Sequence, residues 1–104
     1  MSTSRLAHNV FFKLKDASEA NVAALVAACK RHLNVQPGIL FFAAGPICKE
    51  LKRDVNDRDW DVGLHLVFDS KASHDNYQVD PDHVKFVDAN KPTWAGVRVF
   101  DSYV

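Results

Sequence analysis

The chain has 104 residues, of which 47% are hydrophobic and 25% are charged, which is typical of one small globular domain. Thirteen basic residues balance thirteen acidic ones, so the formal net charge is zero. Nucleic acids and anionic membranes attract proteins that carry a basic excess. The charge balance therefore argues against both kinds of partner.

The sequence has no pattern of a membrane span, a secretion signal or a disulfide framework. Its apolar runs stay well short of the ~20 residues of a transmembrane helix, and its first residues lack an apolar signal region. Cys29 and Cys48 do not have the spacing of a redox or metal motif, and Cys29 stands in an apolar run typical of a core. We expect a cytoplasmic protein with a single domain over residues 1–104 and an ordered core from about 8 to 103.

The first two predicted elements are a strand and an amphipathic helix. Residues 8–15 alternate, with His8, Val10, Phe12 and Leu14 on one face, which is the period of a strand. Ser18 is a suitable helix N-cap, and the apolar residues after it recur at helical spacing. That stripe consists of Val22, Leu25, Val26, Cys29 and Leu33. The helix is predicted to end before Pro37-Gly38.

Three further strands and two further helices are predicted along the rest of the chain. The strands are expected over residues 39–44, 61–68 and 97–104, and the helices over 70–79 and 83–91. Pro81 suits the first turn of the last helix, and Pro92 ends it. The connection from Gly45 to Trp60 carries charges that cancel, which is typical of a solvated loop.

The predicted fold class is α+β, with a βαββαβ ferredoxin-like order and helices on one face of a four-stranded antiparallel sheet. The other face of the sheet is apolar rather than polar. Alternation places there Phe11, His65, Val67, Phe100 and one of Phe41 and Phe42. An exposed aromatic patch of this kind usually marks an interface. We therefore expect a homodimer in which the two helix-free sheet faces pack together as a dimeric α/β barrel.

Four segments together resemble the stress-responsive A/B-barrel (Dabb) family. They are residues 8–15, the aromatic-led third strand at 60–68, the Tyr…Pro-x-His-x-x-Phe block at 77–86, and the ending Phe100-Asp101-Ser102-Tyr103. The resemblance covers residues 8–103 and implies a dimeric ferredoxin-like barrel. The chain departs from the family at Asp80, because members usually have a histidine immediately before the proline.

The same resemblance implies a site. One family member is a cofactor-free cyclase that closes a linear polyketide thioester by an aldol reaction, and its catalytic tyrosine and histidine match Tyr77 and His83. The implied site is a pocket for a small apolar, carbonyl-bearing ligand, without a cofactor. Its implied ligand-binding residues are His8, Val10, Phe12, Leu25, Val26, Cys29, Leu64, Leu66, Phe86 and Trp94.

Tyr77 and His83 have the chemistry that such a pocket needs. A neutral imidazole can take a proton from a carbon beside a carbonyl, and a phenol can donate a hydrogen bond to the oxygen on which charge develops. Two other roles for His83 stay open from the sequence. It can contact a ligand without catalysis, or it can brace the sheet as a purely structural residue.

The sequence leaves several functions in competition and does not decide whether the chain is an enzyme. The alternatives to a ligand pocket are a non-enzymatic stress-response or structural dimer and, by fold analogy, a cofactor-free monooxygenase. An RNA-recognition motif has the same strand order, but its aromatic signature is absent from residues 61–68. Asp80, Asp82 and Asp88 lack the spacing of a metal site, so we expect no metal.

Overall fold

A computed structural model describes residues 4–104 as a four-stranded antiparallel sheet with its helices packed on one side. The elements are β1 (Leu6–Leu14), α1 (Glu19–Leu33), β2 (Ile39–Pro46), β3 (Val62–Phe68), α2 (Lys71–Val79), α3 (Pro81–Asn90), a 3-10 turn (Lys91–Thr93) and β4 (Trp94–Tyr103). The strand order across the sheet is β2-β3-β1-β4. This is the predicted ferredoxin-like arrangement. The start of the predicted domain, Met1–Thr3, lies outside the described residues.

Local sequence sets where the three helices begin. The hydroxyl of Ser18 accepts a hydrogen bond from the first turn of α1, and that of Ser70 does the same for α2. The carboxylate of Asp80 caps α3, and Pro81 occupies the first position of that helix. Because Asp80 is extended and ends α2 as well, the chain turns sharply between the two helices. Within residues 4–104, no helix is long and apolar enough to cross a membrane.

A glycine is required at the turn between α1 and β2. Gly38 has a φ of 86°, a left-handed conformation that side chains with a Cβ rarely adopt. A Cβ added there would lie 2.3 Å from the Ser73 hydroxyl oxygen at the start of α2. Residue 38 therefore combines a conformational and a steric requirement for glycine.

The last strand begins earlier than the alternation predicted. β4 starts at Trp94 rather than Val97, because the 3-10 turn returns the chain to an extended conformation directly after Thr93. Trp94 then pairs with Leu14 across an irregular register at the end of β1. This early start brings the Trp94 ring over the inner face of the sheet, where it packs against Phe12 with ring centroids 4.8 Å apart.

The two faces of the sheet differ as the alternation predicted. The inner face holds the buried core, which includes Phe12 of β1 and its partner Val62 of β3. The outer face carries the predicted aromatic patch. It contains Phe11, Phe41, His65, Val67 and Phe100. An irregularity between Ile39 and Phe41 decides which of the two neighbouring phenylalanines faces outward, since Phe42 packs on the core.

Candidate functional site

A cavity of about 130 Å³ lies on the inner side of the sheet, between strands β1 and β4 and helices α2 and α3. Tyr77 lies in the last turn of α2, and His83 follows the sharp turn at Asp80 in the first turn of α3. This turn brings the two rings together, with centroids 4.6 Å apart in an edge-to-face arrangement. Side chains of β1 and β4 form the opposite wall.

Most of the residues that the sequence singled out meet at this cavity. The lining residues among them are His8, Val10, Phe12, Leu64, Tyr77, His83, Phe86 and Trp94. Four others do not line it. Leu25, Cys29 and Leu66 are buried in the core, and Val26 packs against that core. Leu33, in the last turn of α1, lines the cavity, whereas Leu25, Val26 and Cys29 lie in earlier turns of that helix.

Sequence reasoning missed several residues of the wall. The cavity is also lined by Leu33, Gln78, Val87, Val97 and Val99. A signal for two of them was present, because the alternation of β4 puts Val97, Val99 and Asp101 on the inner face. No sequence pattern predicted Gln78 and Val87, since their place in the cavity wall depends on the angle between α2 and α3.

Two polar atoms in this wall have no partner within the described chain. His83 Nδ1 and Trp94 Nε1 are both buried and make no hydrogen bond with any of residues 4–104. A buried polar atom left in this state costs roughly 1–3 kcal/mol, and native proteins contain few of them. Both atoms lie in the wall of one largely apolar cavity. A ligand with a polar atom could form hydrogen bonds with them and so remove this cost.

Burial sets the protonation states of the paired rings. Burial lowers the pKa of His83, and the nearby His8 lowers it further, against opposing contributions from the Gln78 backbone and Asp80. His83 is therefore neutral near pH 7 and able to accept a proton. Burial also raises the pKa of Tyr77, so its hydroxyl stays protonated and can act as a donor.

At one end of the cavity, His8 joins two further polar side chains. His8 Nδ1 lies 2.5 Å from Asp101 Oδ1, across the β1–β4 pair. The His74 ring, from α2, lies edge-on to His8 with centroids 4.9 Å apart. Burial lowers the pKa of His8 despite the opposing effect of Asp101. The sequence had placed His8 on the cavity side but had not connected it to His74 or Asp101.

The comparisons with known proteins agree with this fold. A family model described as the stress responsive A/B barrel domain matches residues 6–104. No curated protein matches the sequence. Among solved structures, a Dabb-family protein with a ferredoxin-like fold from Mesorhizobium loti is 26% identical, with 95% of each chain covered and a TM-score of 0.77.

Two more distant structures share the fold. A dimeric ferredoxin-like protein of unknown function from Thermobifida fusca is 16% identical over 100% of this chain and 94% of its own, with a TM-score of 0.81. A hydroxynitrile lyase from Passiflora edulis is 20% identical over 99% and 95%, with a TM-score of 0.78. These similarities confirm the predicted fold class.

Proposed function

The chain belongs to the stress-responsive A/B barrel family, and from that premise we propose that its cavity binds a small carbonyl-bearing molecule and supports proton transfer by His83 and Tyr77. The observation that carries this proposal is the pair of unpartnered nitrogens, His83 Nδ1 and Trp94 Nε1, in an otherwise largely apolar wall. A ligand oxygen can accept from the indole. The carbon atom next to the ligand's carbonyl group can give a proton to the imidazole.

The protonation states support separate roles for the two residues. His83, kept neutral by burial, is the general base that removes a proton from the carbon next to the carbonyl. Tyr77, kept protonated by burial, donates to the carbonyl oxygen as negative charge develops there. The protonated imidazole then returns its proton to the product, so the cycle needs no oxidant, reductant or cofactor.

The cavity volume restricts the ligand. An engineered cavity of roughly 150 Å³ accommodates benzene, so a cavity of about 130 Å³ suits one six-membered ring or a short branched chain. Its walls are mainly aliphatic and aromatic, and the rings of His8 and His83 both lie near that of Tyr77. We propose a small ketone, aldehyde or thioester with a compact apolar part as the ligand class.

Hydrogen exchange on a simple ketone tests the proposal without knowledge of the natural substrate. Cyclohexanone has one ring, one carbonyl and exchangeable hydrogens beside it. We expect the protein to accelerate deuterium incorporation from D₂O at those carbons, as followed by NMR. His83→Ala should reduce the acceleration by about 10²–10⁴-fold, and Tyr77→Phe by about 10²–10³-fold.

A matched control separates chemistry from folding. Val84 follows His83 in α3 and is 44% exposed, so Val84→Ala should leave the exchange rate unchanged. Thermal melting of all three variants shows whether each still folds. If His83→Ala is strongly destabilised while ketone binding persists, His83 is structural and the proposed chemistry is wrong. No acceleration by the wild-type protein would also count against it.

We further propose that the homodimer forms through the helix-free sheet face. In the single chain this face exposes Phe41 and Phe100, and Phe11 packs at its centre against Phe100 and Trp60. An apolar patch of this kind is an interface candidate in a protein whose relatives are dimeric. The cavity lies on the opposite side of the sheet, so dimerisation of this kind leaves it accessible. The structural-dimer and monooxygenase alternatives and the cytoplasmic location stay predictions.

A further inference from the structure

We infer that His8, His74 and Asp101 form a binding site for a divalent transition-metal ion at the end of the cavity. Each residue offers one ligand atom, and the three atoms lie within 4.8 Å of one another. The residues come from three elements, β1, α2 and β4, which the fold brings together. The inference is independent of the proposed function, because it concerns neither His83 nor Tyr77.

The spacing of the three atoms is close to that of a filled site. Zinc binds imidazole nitrogen and carboxylate oxygen at about 2.0–2.2 Å, so two ligand atoms of a tetrahedral ion lie about 3.3–3.6 Å apart. A separation of 4.8 Å, the upper limit here, would have to close by about 1.2–1.5 Å. The His8–Asp101 pair, now at 2.5 Å, would have to open by about 1 Å to admit the ion. Neither Asp101 nor His74 is fully buried, so both side chains have room to rotate.

The donor set indicates which class of metal the site would take. Two imidazoles and one carboxylate suit zinc, iron, nickel or copper, whereas calcium and magnesium prefer sites made of oxygen ligands. Three protein ligands also leave at least one coordination position open, as in catalytic zinc sites. The open position can hold water or an oxygen of a bound molecule.

The surroundings fit an ion that enters from solvent. A surface groove lined by Leu6, Lys71, His74, Asp101, Ser102 and Tyr103 reaches the site from outside. His8 also lines the internal cavity, so the site lies between the groove and the cavity. The cation in the groove, Lys71, is paired with Asp75 at 2.7 Å, which reduces its repulsion of a metal.

Asp75 has a second contact that supports metal binding. Its other carboxylate oxygen lies 3.1 Å from His74 Nδ1, so Nδ1 can donate to it and Nε2 keeps its lone pair. A carboxylate behind a metal-binding histidine fixes the ring and its tautomer in many metal sites. The weaker contact between His74 Nε2 and the Gln78 amide, at 3.3 Å, would be replaced by the metal.

Zinc titration of the untagged protein tests the inference. After removal of metals with a chelator, we expect isothermal titration calorimetry to show one Zn²⁺ ion bound per chain. His74→Gln and Asp101→Asn should each weaken binding at least about tenfold. The control is His32→Gln, which removes a histidine of α1 whose Nε2 accepts a hydrogen bond from Arg31 Nε. It should bind zinc like the wild type.

Each result decides the question. Loss in both site variants, with the control unaffected and circular dichroism showing that all variants fold, supports the site. Absence of zinc binding, unchanged affinity in either site variant, or an equal loss in His32→Gln overturns it. His83→Ala should bind zinc normally, so the metal site and the proposed proton transfer can fail separately.

Discussion

Strands β3 and β4 both pair with β1, one on each side, but β3 lies inside the sheet and β4 at its edge, and their environments differ sharply. Phe12 of β1 pairs with Val62 of β3 and with Val97 of β4. Val62 is fully buried, whereas Val97 is 40% exposed. The helices pack mainly over β2 and β3, so the apolar core is complete at β3 and stops short at β4. The cavity lies where the core stops, which shows how incomplete coverage of a sheet creates a site.

The largest expected effect concerns the outer face of β4. Phe100 is 56% exposed in the single chain and would be buried between the two sheets of the proposed dimer. Phe100→Asp would place an unpaired charge in that interface, which costs several kcal/mol. We expect the dissociation constant of the dimer to rise at least about 100-fold, equivalent to about 2.8 kcal/mol. Analytical ultracentrifugation over a range of concentrations measures this change.

The control for that experiment is another exposed apolar residue. Val35 lies after α1, outside the sheet, and is 74% exposed. Val35→Asp should leave the dimer intact. A wild-type monomer at micromolar concentration, or an unaltered Phe100→Asp dimer, would show that the helix-free face is not the interface.

A matched pair of valine substitutions compares the two strands directly. Val62→Ala should lower the free energy of unfolding by about 2–3 kcal/mol, because it removes buried methyl groups and leaves a cavity. Val97→Ala should lower it by about 1 kcal/mol or less, since the side chain is partly in solvent already. Urea denaturation at one protein concentration measures both. Equal losses would mean that β4 is covered as fully as β3 in the assembled protein.

The smallest effect is expected from His65, on the outer side of β3. Burial lowers its pKa below the ordinary 6.5, and its Nδ1 lies 2.8 Å from Asn9 Oδ1. As the pH falls below about 6.5, the unfolded chain therefore takes up a proton at residue 65 before the folded chain does. The free energy of unfolding should decrease over this range.

His65→Gln isolates this contribution from those of the other histidines. Without a titrating group at residue 65, the variant should lose less stability than the wild type between pH 7 and pH 5. Denaturation at several pH values gives the two slopes. Identical slopes would show that His65 titrates alike in the folded and unfolded chain.

The sequence was sufficient to predict the sheet faces but not the cavity itself. Alternation in β1 placed His8, Val10 and Phe12 on one face because every second side chain of a strand points to the same side of the sheet. The resemblance to the family then connected this face to Tyr77 and His83. The prediction that Leu25, Val26, Cys29 and Leu66 also belong to the binding wall stays untested, although in the structure they pack in the core.

The cluster of His8, His74 and Asp101 had no signal in the sequence. These residues are separated by dozens of positions and belong to three elements, so no spacing rule joins them. Their proximity depends on the β1–β4 register and on the position of α2 over the end of β1. Both are tertiary features. The expectation of no metal rested on local spacing and did not consider such a cluster.

The two tryptophans of the chain lie on opposite sides of the sheet. Trp60 packs against Phe11 on the outer face, with ring centroids 4.8 Å apart, and Trp94 lies in the cavity wall. Their fluorescence therefore reports different events, since the tryptophan emission of a Trp60→Phe protein comes only from the cavity and that of a Trp94→Phe protein only from the opposite face. Ligand entry and subunit association can each be followed optically, without an attached dye.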